Sequence, residues 1–520
     1  MEVAGEATPG SGGRLRPRRT GAHRRDARIP QLPWKQPCNR YPIVELLSAD
    51  EVEAIHRASL QVLERVGINI HHPEGLELFR RAGAVVDAES RRVRIGRDIV
   101  EAALATVPAS VTLGTRNPER SIVVGGDHLC FTTVLGPPYC SDLARGRRPG
   151  ALADYCDFVR LAQYFNVVHL NGGSPVEPQD VAIPVRHLEA AHAMLVLSDK
   201  VPYVFCHSRQ RIHDVLEMIA IARGLTLDEL RDAPSTYSII NVNSPLQYDF
   251  PMAGGIIEMA RFGQPTLITP FTLAGASAPV RMGGALAVQN AEALCGIVLS
   301  QLARPGAPVV YGSAATGVDM RSGAPDYGSP DFAKAIQVSA QLARRYRMPS
   351  RMSVMTSSTA PDVQAALQSQ MCLFAAVSGG GNLIMHAAGW LEGGLCASFE
   401  KFVIDVEMLQ NLVSYLDPLR IDEETLSLDE IAEVGPGGHF FAAPSTMATY
   451  ETAFYQSFLY DLRNYGSWVE AGSRDATRRA HDLYQKALRE YEPPPMETDA
   501  RARLDEFLAR RKAEGGAPLE

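Results

Sequence analysis

The residues placed where chemistry could occur are mainly rings and small polar groups. Asn243, Tyr248, Phe271, Tyr311, Tyr327, His386, Phe399 and Glu400 lie at or just beyond the ends of apolar segments that read as strands. Trp390 joins them on the loop after His386. Several rings around one opening, with little charge among them, suit an organic cation, which a ring face holds at about 0.5–2 kcal/mol. Any single one of these aromatics is more often core or lip packing. Glu400 beside such a cation adds charge attraction, stronger at low local dielectric, although its place also fits a first-turn helix acid favoured by the macrodipole. Cys206 and His207 are neighbours, but adjacent strand residues face opposite ways, so they make no nucleophile–base pair and Cys206 reads as a core thiol. No grouping of His, Cys, Asp or Glu has metal-ligand spacing, no lysine ends a strand, and neither a G-x-S-x-G elbow nor a phosphate loop occurs.

The elements that must position these residues follow one rhythm. Residues 351–355, after Pro349, read as a buried strand, and Thr356 to Thr359 as a small polar turn. Pro361-Asp362 then opens an apolar helix, since proline is well tolerated in a first helical turn. The same alternation predicts strands at 167–170, 203–206, 237–241, 266–269, 309–311 and 382–386, each followed by a helix. Such alternation implies right-handed βαβ crossovers and a parallel sheet. Seven such units predict an α/β fold of the closed (β/α)8 TIM-barrel kind with one strand unplaced. A doubly wound open sheet is the alternative, but no G-x-G-x-x-G follows any strand. In either fold, ligands gather at the strand C-termini.

Around that core, residues 1–40 are rich in Gly, Pro and Arg and read as a disordered basic tail. Residues 41–150 read as an N-terminal α/β extension, with Ser48 and Glu51 forming a capping box on its first helix. Residues 151–420 form the expected barrel. Residues 421–520 form a C-terminal helical extension in which 450–464 and 476–491 read as surface helices. At 520 residues, with a net charge of −8, nucleic acid is an unfavourable partner. No apolar run is long enough for a membrane span, and the basic N-terminal stretch is not followed by a signal-type apolar segment. Eight widely spaced cysteines without a C-x-x-C pair read as reduced thiols, which predicts a cytoplasmic protein; a homo-oligomer is left open.

Taken in order, several stretches resemble the trimethylamine:corrinoid methyltransferase superfamily, on its non-pyrrolysine, glycine betaine methyltransferase-like branch. They are Thr269-Pro-Phe-Thr-Leu-Ala-Gly275, Pro305-Gly-Ala-Pro-Val-Val-Tyr-Gly312, Gly328-Ser-Pro-Asp331, Pro361-Asp-Val-Gln364, Ser398-Phe-Glu400, Asp405 and Gly435-Pro-Gly-Gly-His-Phe440. The resemblance spans residues 45–495. It implies a TIM barrel that passes a methyl group from a methylated amine to Co(I) of a separate corrinoid protein. Cobalamin is then carried by that partner, and this chain binds no cofactor tightly. The position of pyrrolysine in the archaeal enzymes falls on Ala360, which joins the expected substrate-binding set. The loop reads Thr356-Ser357-Ser358-Thr359 where relatives have Thr-Asp-Ser-Lys, leaving room for a substrate larger than trimethylamine, such as glycine betaine or a related betaine. A quaternary ammonium leaves as a neutral tertiary amine, so a mouth without a general acid is consistent with this transfer. A barrel that binds a small amine or betaine without turnover is the alternative.

Overall fold

The computed structural model describes residues 28–519. At its centre six parallel strands are hydrogen-bonded in the order Cys130–Thr133, Leu383–Ala388, Ser350–Ser353, Val309–Gly312, Thr266–Pro270 and Ser238–Val242. Parallel bridges Thr132–Leu170, Leu170–Val201 and Tyr203–Tyr237 join the two ends of this sheet. The ring therefore closes with eight segments, a (β/α)8 barrel. The strand that the pattern left unplaced is Cys130–Thr133, inside the stretch read as an N-terminal extension, so the barrel starts before residue 151. Its four residues sit among short antiparallel strands, with no helix before them to mark the rhythm.

The segments around the barrel differ from expectation in two places. Residues 28–40 were expected in the solvated tail, yet they pack: Ile29 is buried, the Leu32 amide donates to Gln410 Oε1 at 2.8 Å, and Gln36 holds Val123 through both its amide and its carbonyl. The rest of that expected tail, residues 1–27, lies outside the described residues. Residues 450–464 are irregular rather than helical, whereas Ala476–Glu490 is a helix. The Arg-rich end, Thr498–Ala513, is a helix whose Leu504 and Phe507 are buried.

The capping box is present: Ser48 and Glu51 bond each other's backbone at the start of Ala49–Gln61. Further on, Ile68–Ile70 pairs with Gln247–Tyr248, tying the N-terminal sheet to the loop after the Ser238–Val242 strand. The Met282–Ala303 helix is long and apolar enough to cross a membrane by composition alone, but 78% of that span is buried inside the molecule. It covers the Thr266–Pro270 and Val309–Gly312 strands of the barrel wall.

Candidate active site

The strand C-termini place one group of side chains at the barrel mouth. Phe271 and Tyr327 lie with ring centroids 6.3 Å apart, and Tyr327 meets Trp390 edge-on at 6.1 Å. Trp390 in turn lies 4.4 Å from His386. The turn after the Ser350–Ser353 strand sets these walls. Thr356 O accepts from Trp390 Nε1 at 3.2 Å, and Ser357 Oγ accepts from the Tyr327 amide at 3.2 Å while donating to Pro325 O at 3.0 Å. Gln368 Oε1 braces the turn, accepting from Thr356 Oγ1 and the Ser357 amide. The small polar run thus works as a scaffold for two rings. Asn243 and Ala360 lie exposed at the rim, and Asn243 Oδ1 accepts from the Asp249 amide.

Two polar side chains below these rings stand out. Arg351, only 2% exposed, donates through Nη1 to Ser313 O at 3.1 Å, while its Nε has no protein partner. No carboxylate among the described residues pairs with it; the ionisable groups that act on it are the hydroxyls of Tyr327, Tyr237 and Tyr203, and it in turn acts on His386. Burial pushes its guanidinium down to about 10, so it is still charged at neutral pH. His386 is buried, and its Nδ1 also lacks a partner. It has φ +57°, where the strand's register with Cys130–Thr133 shifts. Burial, reinforced by Arg351, pushes its imidazole well below the ordinary range and keeps it neutral. An unpaired buried charge is costly, which is why buried ions are nearly always paired. Arg351 is thus a buried cation with no carboxylate beside it among the described residues.

Four of the expected site residues point elsewhere. Tyr311 Oη donates to Asn290 Oδ1 at 2.9 Å and its ring lies beside Tyr346, so it faces the helical layer. Tyr248 Oη donates to Glu292 O at 2.8 Å, its strand having been drawn onto the N-terminal sheet. Phe399 is stacked on Phe158 at 4.1 Å and packs against Tyr484, under the C-terminal helices. Glu400 Oε1 accepts from the Leu143 amide at 2.8 Å and meets His481 Nδ1 at 2.7 Å, so it serves a hairpin turn and an inter-helix contact. The strand-end rule puts a residue near the mouth; strand alternation and local partners decide which way it faces. Arg351 was passed over as part of a buried strand, although a lone charge in an apolar strand was the available signal. Cys206 lies against Gly255 on the helix side, and burial pushes its thiol up to about 12. Among the described residues no group of His, Cys, Asp and Glu could hold a metal ion.

A closed α/β barrel with a ring-lined mouth defines a class of small-molecule enzyme, and comparison with known proteins narrows it. The model of the trimethylamine methyltransferase (MTTB) family matches residues 12–516. The chain belongs to that family and is a methyltransferase. It is 38% identical over 476 residues to a glycine betaine methyltransferase of Desulfitobacterium hafniense strain Y51, covering 91% of this chain and 98% of that one. It is 32% identical to a trimethylamine methyltransferase of D. hafniense strain DSM 10664 / DCB-2, over 90% and 94% of the two chains. A trimethylamine methyltransferase of Methanosarcina thermophila is 29% identical, over 88% and 95%. Among solved structures, the monomethylamine methyltransferase of Methanosarcina barkeri aligns at 10% identity with a TM-score of 0.43, over 86% and 93%.

Proposed function

We propose that this methyltransferase demethylates a betaine, a quaternary ammonium that carries its own carboxylate, and that the methyl group passes to the Co(I) of a corrinoid borne by a separate protein. The observation that carries this reading is Arg351: a buried guanidinium without an acidic partner, below a cage of Phe271, Tyr327 and Trp390. The guanidinium offers a fork of donors to a carboxylate, and the ring faces receive the trimethylammonium end. A cation without a carboxylate fits poorly, because it would meet the positive charge of Arg351 with nothing to offset it. The relationship to a glycine betaine methyltransferase supports the same substrate class.

The chain's own part in the reaction is positioning. Arg351 and the rings fix both ends of the zwitterion, so one N-methyl group can be held toward the open mouth. Neutral His386 adds no charge against the ammonium. The corrinoid supplies the nucleophile: a cobalt–carbon bond forms as the carbon–nitrogen bond breaks and its electron pair stays on nitrogen. The product amine leaves neutral, so the mouth needs no general acid.

The test is to mix purified protein with a Co(I) corrinoid protein and either glycine betaine, proline betaine, choline or trimethylamine. Methyl-Co(III) absorbance is expected with a betaine and not with choline or trimethylamine. Equal turnover of choline would remove the role given to Arg351.

A further inference from the structure

The rings above Arg351 are shut over it. Tyr327 is 3% exposed and Trp390 7%, and Arg351 itself is 2% exposed. The two rings meet edge-on at 6.1 Å, and the charge of Arg351 acts on the Tyr327 hydroxyl. A betaine is too bulky to pass between rings in such contact, so one wall has to move before a ligand enters. The Trp390 wall is fastened at several points. Its indole Nε1 donates to Thr356 O at 3.2 Å, the Glu392 amide to Ser358 O at 2.8 Å and the Gly393 amide to Thr356 O at 3.1 Å. Buried Asp405 holds the Gly389 amide just before the ring, and Arg147 pairs with Glu392 at 3.0 Å.

Tyr327 rides instead on residues 313–328, the loop after the Val309–Gly312 strand. From Asp319 to Gly328 only Tyr327 is buried. The loop's backbone bonds turn inward: the Asp319 amide donates to Ala324 O, the Gly323 amide to Asp319 O and the Asp326 amide to Gly317 O. Among the described residues, hydrogen bonds from Val318 to Tyr327 leave the loop only at Ser357. Its Oγ accepts from the Tyr327 amide at 3.2 Å and donates to Pro325 O at 3.0 Å. A segment with few buried apolar groups and self-contained hydrogen bonds opens locally at little cost. Glycines stand at both its ends. Gly317 has open space where a Cβ would be, and Gly328 has φ +76° with the Gln368 side chain packed against it. Small residues at the ends of a moving segment absorb its change of backbone angle.

We propose that residues 313–328 are a lid latched by the Ser357 hydroxyl, and that it swings out with Tyr327 to let the betaine in and the amine out, a step that rests on the reading of Arg351 as the carboxylate's partner. The mouth is open to the corrinoid only in the unlatched state. The latched state keeps water from the bound zwitterion and from Arg351. Ser357 is a positioning residue in this scheme: it touches the lid's backbone, not the ligand.

Access to Arg351 tests the lid without turnover. The full chain is treated with butane-2,3-dione, a small reagent for guanidinium groups, and modification is mapped by mass spectrometry over time. Arg351 should react slowly in the wild type, during openings alone, and on the order of tenfold faster in Ser357→Ala, which loses both latch bonds. Arg211, 4% exposed and bonded to the carbonyls of Ile183 and Ala517, is the internal control and should react alike in both chains. An Arg351 that stays unmodified in both chains, or reacts at one rate in both, overturns the lid. A parallel rise at Arg211 means that the whole fold has loosened and overturns the latch. Glycine betaine added first should protect Arg351 in both chains. If Ser357→Ala speeds modification but glycine betaine gives no protection, the lid stands and the betaine reading falls.

Discussion

Arg351 carries one positive charge into the buried interior, where solvent screens it little, and in the proposed reading a carboxylate answers that charge. Arg351→Gln should weaken glycine betaine binding by about 1.5–3 kcal/mol, the range for a charged hydrogen bond. The same variant should bind tetramethylammonium no worse, and better if the repulsion is felt. Calorimetry with the two ligands separates loss of the carboxylate contact from a general collapse of the pocket. Trp390→Leu should instead weaken both ligands, by about 1–2 kcal/mol, because it removes a ring face that both ammonium groups share. Its indole also fixes the turn at Thr356, so thermal unfolding of this variant belongs beside the titration.

At the scale of elements, two buried groups set the mouth loops. Lys401 Nζ pairs with Asp405 Oδ1 and reaches Ser369 Oγ at 2.9 Å, while Asp405 Oδ2 accepts from the Gly389 amide at 2.9 Å. This ties the end of the Leu383–Ala388 strand, just before Trp390, to the Val363–Ser378 and Phe399–Leu416 helices. Asp405→Ala leaves a buried ammonium unpaired and should cost about 3–5 kcal/mol in chemical denaturation. The second group, Glu292, accepts from the Leu246 amide at 2.6 Å and from Ser244 Oγ at 2.7 Å, holding the loop after the Ser238–Val242 strand. Burial pushes its carboxyl up to about 7 from an ordinary 4.5. Between those values the folded chain keeps a proton that the unfolded chain has released, so stability falls as pH rises through that window. Glu292→Gln should flatten that part of the profile of Tm against pH.

For the whole molecule, the barrel dictates where a methyl acceptor can approach. The rings sit at the strand C-terminal face with Arg351 buried below them, so a corrinoid protein is expected to dock there, over Asn243 and Ala360 at the rim. Cross-linking with mass spectrometry should map the partner to the loops after the strands. Links confined to the opposite, N-terminal ends of the strands would overturn this docking.

The barrel's rhythm was legible because buried parallel strands and their covering helices differ in length and apolar period, and both show in a linear sequence. That signal reached seven of the eight barrel segments and failed at Cys130–Thr133, where short antiparallel strands surround four residues that carry no period of their own. The ring wall was legible in part: Phe271, Tyr327, His386 and Trp390 stand at strand ends or on the loops beyond them, and the structure brings them together. Tyr311 and Phe399 met the same rule and face away, because orientation depends on which neighbour a side chain packs against, and neighbours distant in sequence are chosen only on folding. Arg351 shows the converse. Its type and position were plain in the sequence, but its meaning lay in the missing carboxylate, a property of the space around it that only the tertiary structure decides.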